Sequence, residues 1–443
     1  MLHRRTVLGA LALPLAPGFA FASGRKPVRL SRANLDRLAQ TPGDPQTIAK
    51  DEDFWAPIQR AFTQDRSITN LNNGGCSPAP AIVQEAQRKH LERANFIPPP
   101  IALWREQEPA RERVRVALAR QWGVDPEEIA ITRNSSESLQ ICQFGHDLSR
   151  GDEVLTTTLD YPRMLTTFKQ RERREGLVLK QFKLPIPCED PAQIVRLFAE
   201  NITPKTRLIL MSHIINITGQ ILPVKDVVAM ARTKNGGIPV IVDGAHALAH
   251  FEFKISDLNC DFYGVSLHKW LFAPHGTGLL YVRKEKIKGL WPLMASGVEN
   301  ENDIRKYEEI GTHPVAATLA IAEALTFHQG IGGPRKEARL RYLRDRWATR
   351  LLAHPSKRVR LHTSLKPAFS CGIATVQVDD LDTTKLGEYL WDKHGILTTP
   401  IKHAEFEGLR VTPSVYTTLA ELDRFCDAME FAIDKGLPVK PAT

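Results

Sequence analysis

The sequence lacks most of the short motifs that assign a function by themselves. Its six cysteines include no Cys-x-x-Cys pair, which argues against a zinc ribbon and a thioredoxin-like site. It has no Walker sequence and no His-Glu-x-x-His motif, so neither a P-loop nor a zinc-protease site is indicated. No block of like charges carries the net charge of +9, so no nucleic-acid partner is predicted. We also expect no metal site.

Long hydrophobic runs are missing as well. The apolar stretch at residues 7–15 is shorter than the roughly 20 residues that a membrane-spanning helix needs. Arg4 and Arg5 precede this stretch and a small-x-small sequence ends at Ala22, an arrangement typical of a twin-arginine signal peptide at residues 1–22. A membrane anchor fails on length, and a transit peptide is disfavoured because no Ser- and Arg-rich amphipathic stretch is present.

The signal predicts where the protein works. We expect the Tat export machinery to carry it, with cleavage near Ala22, to the periplasm or otherwise out of the cytoplasm. Since no other segment is long and apolar enough to span a membrane, we expect no stable membrane insertion.

What remains is an ordinary globular composition. The chain has 443 residues, of which 42% are hydrophobic and 25% charged, and it is too long for one compact core. Two domains are therefore expected. The basic excess favours an anionic ligand or a membrane surface without naming either one.

The middle of the chain alternates between strand-like and helix-like segments. Short apolar runs indicate strands at residues 128–132, 154–158, 178–184, 207–212, 238–242, 261–266 and 278–282. Solid apolar runs are typical of parallel strands covered on both faces, so the fold class predicted is α/β with a mostly parallel sheet. Helices dominate residues 314–352 and strands return after 361. We predict an N-terminal segment at 23–70, a large domain at 71–315 and a smaller α+β domain at 316–443.

Two ionisable residues follow neighbouring predicted strands. Asp243 ends one strand and Lys269 follows the next, within the segment 266–270 (Ser-Leu-His-Lys-Trp). Alone, Asp243 is typical of a helix cap and Lys269 of a surface lysine whose stem lies on apolar surface. Together they match a pyridoxal phosphate site, because ligands of open α/β sheets lie at the strands' carboxyl ends. The aspartate would keep a pyridine nitrogen protonated and the lysine would hold the aldehyde.

These residues also carry a family resemblance. The segments 243–246 (Asp-Gly-Ala-His), 266–270 and 274–281 (Pro-His-Gly-Thr-Gly-Leu-Leu-Tyr) resemble the class V aminotransferase family of fold-type I pyridoxal phosphate enzymes. Within it, the chain looks most like the isopenicillin N epimerase-like proteins. The resemblance runs from residue 72 to Arg410 and implies the fold-type I transferase architecture with pyridoxal 5'-phosphate as cofactor.

The resemblance implies roles for the residues around the ring. Lys269 would form the Schiff base and act as the acid and base that moves the Cα proton. Asp243 would pair with the pyridinium nitrogen, and His246 and Asn216 would approach the ring hydroxyl. Tyr161 is the candidate for stacking on the ring, although a purely structural tyrosine fits its position nearly as well.

The cofactor phosphate is implied at the start of a helix. Ser135 and Ser136 would bind it, with side-chain donors from Ser266 and His268. Independently, the sequence 134–137 (Asn-Ser-Ser-Glu) opens a predicted helix, whose free N–H groups and dipole favour an anion. The same four residues also match a capping box, which is compatible with phosphate binding. Thr312 resembles a residue that these enzymes donate to the partner subunit's phosphate, which implies a homodimer.

The substrate side is implied by two residues and one absence. Arg410 matches the arginine that binds the substrate carboxylate, and Asn73 lies in a segment that lines the substrate entrance in relatives. No cysteine lies between residues 395 and 410, and Cys371 begins an apolar strand, so persulfide chemistry is disfavoured. Transamination, epimerisation or elimination on an amino acid or a peptide-borne amine stays open. So does a non-catalytic binding protein, although retention of Lys269, Asp243 and Arg410 favours an enzyme.

Overall fold

The computed structural model of the chain describes residues 30–438. The signal peptide predicted at residues 1–22 lies outside the described residues. Within 30–438, no helix is both long and apolar enough to cross a membrane. In the same range, no group of three or more His, Cys, Asp or Glu side chains is arranged to hold a metal ion.

The described residues form three sheets with helices around them. The strands are β1 (Thr69–Asn70), β2 (Ile129–Thr132), β3 (Glu153–Thr157), β4 (Val178–Phe182), β5 (Thr206–Ser212), β6 (Val240–Asp243), β7 (Phe262–Ser266), β8 (Gly278–Val282), β9 (Val359–Leu361), β10 (Ala374–Val378), β11 (Ile396–Leu397), β12 (Thr399–Lys402) and β13 (Glu407–Val411). The α-helices are α1 (Arg32–Gln40), α2 (Pro45–Ile48), α3 (Glu52–Arg60), α4 (Ala81–Phe96), α5 (Glu108–Trp122), α6 (Ser135–Gly145), α7 (Pro162–Glu175), α8 (Pro191–Asn201), α9 (Val224–Arg232), α10 (Ile255–Leu258), α11 (Ala316–Leu319), α12 (Ile321–Ile331), α13 (Gly333–Leu352), α14 (Thr383–His394) and α15 (Leu419–Lys435).

The large sheet has the strand order β2-β8-β7-β6-β5-β3-β4. Its strands from β7 to β4 run parallel, and β8 is antiparallel to both β7 and β2. Every residue of β6, β7 and β8 is buried, as expected for strands covered on both faces. The prediction of a mostly parallel α/β sheet is confirmed. Parallel pairing brings the carboxyl ends of β5, β6 and β7 to one edge, where Ser212, Asp243 and Gly264 are in register.

A second sheet lies in the C-terminal part, with the antiparallel order β12-β13-β10-β9. Its buried face packs on α13, α14 and α15 in a separate hydrophobic cluster that includes Trp347, Leu390 and Phe425. This is the α+β arrangement expected for the smaller part. The short strand β1 pairs in parallel with β11 and thereby ties the chain near residue 70 to this part.

The hydrophobic clusters bear on how the chain divides. Leu35 of α1 and Phe327 of α12 belong to the large cluster around the main sheet, whereas the second cluster begins on α13 at Leu343 and also includes Leu71. Helix α12 therefore packs with the large part, although it follows residue 315. The boundaries at 70/71 and 315/316 remain predictions from the sequence.

Candidate active site

Asp243 ends β6 and lies almost completely inside the protein, with 7% of its surface exposed. Its Oδ1 accepts a hydrogen bond of 2.9 Å from the backbone N–H of Ala245. Burial raises the pKa of this carboxyl to about 6, and the nearby ammonium of Lys269 opposes the rise. In the described part of the chain, no arginine or lysine forms an ion pair with Asp243, so this carboxylate is buried without a bonded counter-ion.

Lys269 lies in the loop between β7 and β8, and its side chain turns inward. Its Nζ is 3.1 Å from Nε2 of His246. Burial lowers the pKa of the amine to about 8; the carboxylate of Asp243 opposes this shift and the guanidinium of Arg410 adds to it. A lowered pKa increases the fraction of neutral amine, which is the nucleophilic form. The alternative of a lysine reaching out to solvent does not fit this geometry.

His246 connects the loop after β6 with Lys269. Only 5% of its surface is exposed, and burial holds its pKa well below the usual value, so the ring is neutral. An ammonium only donates hydrogen bonds, so Nε2 is the accepting nitrogen and Nδ1 carries the proton. That Nδ1–H group is buried and has no hydrogen-bond partner. It therefore remains available to a ligand.

Arg410, on β13, is buried beside Asn216 and Asn72. It is 6% exposed, and it donates to the backbone oxygen of Asn216 at 3.2 Å and to Oδ1 of Asn72 at 2.8 Å. A longer bond of 3.4 Å reaches Oγ1 of Thr399. All three acceptors are neutral, and burial lowers the pKa of the guanidinium to about 10. A buried cation that bonds only to neutral oxygens is suited to bind an anion.

The prediction for Asn73 needs correction. Its amide nitrogen donates to the backbone oxygens of Asn70 and Thr412 at 2.9 and 3.0 Å, and its Oδ1 accepts from Asn70 and from the hydroxyl of Tyr416. The side chain is fully buried and its bonds are used within the fold. Its neighbour Asn72 is the residue that reaches Arg410. Asn72 and Asn73 both lie in the segment that the resemblance implies for the substrate entrance, and the structure brings Asn72, not Asn73, to Arg410.

The predicted phosphate residues come together at the start of α6. Ser266, the last residue of β7, accepts from the backbone N–H of Ser135 at 3.0 Å and donates to its hydroxyl at 2.8 Å. Gly278 makes this approach possible, because a Cβ there would lie 2.6 Å from the backbone of Asn134. Asn134 caps the helix through the N–H of Glu137 at 2.9 Å, and the half-exposed Ser136 lies in the first turn. The N-terminus of α6 thus opens towards the edge that holds Asp243 and Lys269.

His268 is a neutral ring in this structure. Burial lowers its pKa to about 4, so the ring is neutral, and its Nδ1 is 3.2 Å from the backbone oxygen of Thr277. In that tautomer Nδ1–H donates to Thr277 and Nε2 is an acceptor. His268 becomes a donor to phosphate only when the ring is protonated, a form that a phosphate dianion would favour.

The structure places Tyr161 and Thr312 on the surface. Tyr161 precedes α7, is 38% exposed and interacts electrostatically with Arg410, which lies across the site. Thr312 is exposed on the loop before α11. The adjacent residues His313 and Pro314 line a cavity of about 500 Å³ that also reaches Asn134 at the start of α6.

Cys76 lies near Lys269, and Asn72 and Thr399 contact Arg410, three placements that sequence reasoning did not predict. Cys76 is the exposed cysteine of the chain, and the charge of Lys269 lowers its pKa while burial of the thiol raises it by more. The backbone N–H of Ser77 donates to the oxygen of His268 at 3.2 Å, which holds this segment beside the lysine loop. No sequence motif signals the contact, because almost 200 residues separate the two segments.

These residues fit pyridoxal phosphate. The buried carboxylate of Asp243 lacks a bonded cation, which a pyridinium N–H would supply. Three buried polar atoms around the site have no partner: Oδ1 of Asn216, Nδ1 of His246 and Nε of Arg410. Unpaired buried polar atoms are costly, so these three groups are suited to bind a polar ligand.

Comparisons with known proteins agree with this site. The model of the class V aminotransferase family matches residues 70–425. Isopenicillin N epimerase of Streptomyces clavuligerus is 31% identical over 400 residues, which cover 85% of this chain and 98% of that protein. A probable cysteine desulfurase of Mycobacterium leprae is 26% identical, with 90% and 98% covered. A solved structure of a C-DES mutant with glycine covalently linked to its pyridoxal phosphate cofactor superposes with a TM-score of 0.75 at 24% identity, over 84% and 98% of the two chains.

Fold and site together define a pyridoxal phosphate-dependent protein of fold type I. More specifically, the chain belongs to the class V aminotransferase family. The predictions of the family, the fold class and the cofactor are confirmed.

Proposed function

We propose that the protein is an enzyme that moves the Cα proton of an amino acid or of a peptide-borne amine, as an aminotransferase or an epimerase does. The observation that carries the proposal is a buried cation without a counter-ion together with an amine of lowered pKa. Arg410 bonds only to neutral oxygens, and the Lys269 amine contacts the neutral ring of His246. An α-amino acid carries its carboxylate on Cα, so Arg410 would bind the carboxylate while the neutral Lys269 amine accepts the Cα proton.

Four residues would hold the cofactor. Asp243 would bind the ring nitrogen, Ser135 and Ser266 the phosphate, and Lys269 the aldehyde carbon. When bound, pyridoxal phosphate supplies an electron sink for the electrons released when a bond at the substrate Cα breaks. His246 keeps its free Nδ1–H beside the same space.

The protein's own groups supply the proton transfer. With a pKa of about 8, the Lys269 amine can both accept and release a proton near neutral pH, which is the requirement for a general acid and base. The 3.1 Å contact with His246 orients the amine. Arg410 fixes the substrate carboxylate, so the bond to the α-hydrogen is presented in one orientation.

Deuterium exchange tests the proposal. Purified protein is mixed with a panel of amino acids in D₂O, and α-deuterium, the opposite enantiomer and the keto acid are measured separately. We expect a pyridoxal band near roughly 410–430 nm and α-exchange for at least one substrate, both lost in Lys269→Ala. Lys366→Ala, in which an exposed lysine paired with Glu189 is removed, is the control and should behave as wild type. Unchanged cofactor attachment in Lys269→Ala would sink the assignment.

A second candidate function is cleavage of a carbon–sulfur bond, as in the desulfurase-like relatives. The specific observation in its favour is the exposed thiol of Cys76 beside Lys269, since buried Cys371 has a pKa raised to about 12 and is inert. In this reaction the Cys76 thiol would take the sulfur of cysteine as a persulfide and alanine would leave. Formation of alanine that stops in Cys76→Ser supports this candidate, whereas keto acid or the opposite enantiomer supports the first.

We also propose that the protein is exported through its twin-arginine signal. Support comes only from the sequence of residues 1–22, with Arg4 and Arg5 as the receptor-read pair. Replacing both by lysine should retain the protein in the cytoplasm with its signal uncleaved. If the wild-type protein and the double-lysine variant are exported equally, the proposal is wrong.

Finally, we propose that the active unit is a homodimer. Exposure of Thr312 beside the cavity that reaches α6 supports it, because a partner's loop could enter there. A Thr312 variant mixed with Lys269→Ala should regain activity, since one site of the mixed dimer then contains both native residues. A fully active monomer would refute this assembly.

A further inference from the structure

Lys336 is a buried ammonium that the proposed chemistry does not use. It lies near the start of α13 with 1% of its surface exposed, and no carboxylate forms an ion pair with it among residues 30–438. Burial lowers its pKa to about 7, opposed by the more distant Cys371 and Glu252. Burying such a group is unfavourable unless strong contacts offset the lost hydration. Its contacts therefore show what it does.

Both contacts of Lys336 are with the loop that carries Lys269. Its Nζ donates to the backbone oxygen of Trp270, the residue directly after Lys269. The same Nζ lies 4.0 Å from the ring centroid of Phe272, a favourable cation–π distance. Phe272 has φ +62°, a left-handed conformation that is strained for a non-glycine residue. Such strain persists only where the surroundings hold the backbone, and Lys336 contacts this loop at Trp270 and at Phe272 itself.

His250 fixes the same region from a second direction. Its ring stacks on the Trp270 ring with 3.7 Å between centroids and 5° between planes. Nε2 accepts from the backbone N–H of Gly372 at 2.8 Å, so Nδ1 carries the proton of the neutral ring and donates to the backbone oxygen of His246 at 2.7 Å. His250 thus contacts both Trp270, which follows Lys269, and the backbone of His246. Lys269 and His246 are the two residues whose side chains lie 3.1 Å apart.

We infer that Lys336 and His250 are positioning residues, which hold the backbone on either side of the Lys269–His246 contact so that the amine keeps its orientation. Neither touches the substrate or cofactor space. Lys336 reaches the loop from α13, and His250 is bonded to Gly372 just before β10, so segments that follow residue 330 in the sequence hold the loop that carries Lys269. The inference rests on the proposed role of Lys269.

A matched pair of variants on α13 tests the inference. Lys336→Met keeps the length and apolar stem but removes the donor to Trp270. Arg339→Met removes another buried cation of the same helix. Arg339 donates to Ala49 and Glu52 and lies over the rings of Trp55 and Tyr342, so none of these contacts is with the lysine loop. Three quantities are measured: the melting temperature of the cofactor-free protein, the rate of cofactor capture, and the pH midpoint of the absorbance change of the attached cofactor.

We expect both variants to melt earlier than wild type. Only Lys336→Met should capture the cofactor more slowly, by roughly ten- to a hundredfold, because a displacement of about 1 Å has effects of that size. Only Lys336→Met should move the pH midpoint, by about half a unit or more. If Arg339→Met changes these two quantities as much, or Lys336→Met changes neither, the inference is wrong.

Variants of His250 keep the test decisive if Lys336→Met does not fold. His250→Phe retains a ring to stack on Trp270 but loses both hydrogen bonds, and it should move the pH midpoint. His250→Asn restores a donor near the position of Nδ1 and should recover part of the wild-type value. If His250→Phe and His250→Asn both have the pH midpoint of wild type, the proposed role of His250 is wrong. Wild-type protein that attaches no cofactor to Lys269 would instead overturn the proposed function, so the two failures are distinguishable.

Discussion

Two arginines are buried in this molecule under opposite electrostatic conditions. Arg115 of α5 has an inaccessible side chain and bonds to both carboxylate oxygens of Glu308, at 2.6 and 3.0 Å. Glu112 adds a second carboxylate at 3.0 Å, and these partners raise the pKa of Arg115 despite its burial. Arg410 is nearly as deeply buried, has only neutral oxygens as partners, and its pKa falls to about 10.

The difference separates a structural charge from a functional one. Arg115 and Glu308 satisfy each other, and Glu308 also accepts from the backbone N–H of Ile131, so the pair joins α5 to the edge of the main sheet. Arg410 is left without a counter-ion inside a site that contains two further unpaired charges, Asp243 and Lys269. Uncompensated burial is costly, and a ligand that supplies the missing charges removes the cost. The contrast between the two arginines therefore predicts how each responds to removal.

The largest expected effect is on folding stability. Arg115→Met leaves the carboxylate of Glu308 buried with the N–H of Ile131 and the weaker ion pair to Arg111 at 3.5 Å, and should cost about 3–5 kcal/mol. Arg410→Met removes an uncompensated charge and should change the stability of the cofactor-free protein by no more than about 1 kcal/mol. Urea unfolding of both variants measures the difference. Equal losses would show that the two arginines are not distinct in kind.

The next effect is on rate. Asp243→Asn removes the negative charge beside the pyridine nitrogen, and loss of such electrostatic stabilisation costs about 2.7–4 kcal/mol, a hundredfold or more in kcat. Asp261→Asn is the matched control. Asp261 is also buried and bonds to the backbone N–H of Val240 at 3.1 Å, but it lies at the opposite end of the same strands. Kinetics close to wild type in Asp243→Asn would refute the role of this carboxylate.

Much of the fold could be predicted because burial on both faces leaves a strong signal. The run at residues 278–282 coincides with β8, and the predicted strands at 261–266 and 207–212 differ from β7 and β5 by one residue. The direction of β8 could not be predicted, since an apolar run reads the same whether its neighbours are parallel or antiparallel. Its antiparallel pairing follows from a short connection, in which a loop rather than a crossover helix joins β7 to β8.

Of the residues at the candidate site, some could likewise be predicted from the sequence and others could not. Asp243, Lys269 and Ser135 could be found because each follows a predicted strand or opens a predicted helix, positions that an α/β sheet brings to one edge. The placement of Asn72, Thr399 and Cys76 near Arg410 or Lys269, and that of Lys336 against the lysine loop, could not be predicted. These contacts depend on pairings such as β1 with β11 and on the packing of α13, which join residues far apart in the sequence. No local pattern encodes such contacts.

A smaller effect concerns substrate binding. Arg410→Gln keeps hydrogen-bonding capacity but removes the charge, and a hydrogen bond to a charged group contributes about 1.5–3 kcal/mol. We expect KM for the amino acid to rise about ten- to a hundredfold, with kcat changed less. An amine substrate that lacks the carboxylate should have the same KM with wild type and with Arg410→Gln, which makes it the internal control. If KM for that amine rises by the same factor, Arg410 does not act by binding the carboxylate.

The smallest effect is on the pH dependence of stability, and Asp243 and Asp382 should show it with opposite signs. Burial raises the pKa of Asp243 from 3.8 to about 6, so between these values the folded state binds more protons than the unfolded state. Stability should therefore fall as pH rises through this window and stay lower above it. Asp382 caps α14 on the surface, and the N–H of Lys385 lowers its pKa, so its contribution to stability is lost as pH falls.

In cofactor-free protein, Asp243→Asn should melt roughly 2 °C above wild type at pH 8 and at the same temperature as wild type at pH 3.5. Asp382→Asn should melt slightly below wild type at pH 8. If Asp243→Asn melts lower than wild type at pH 8, the carboxylate is compensated after all and resembles Glu308 rather than a group that awaits a ligand.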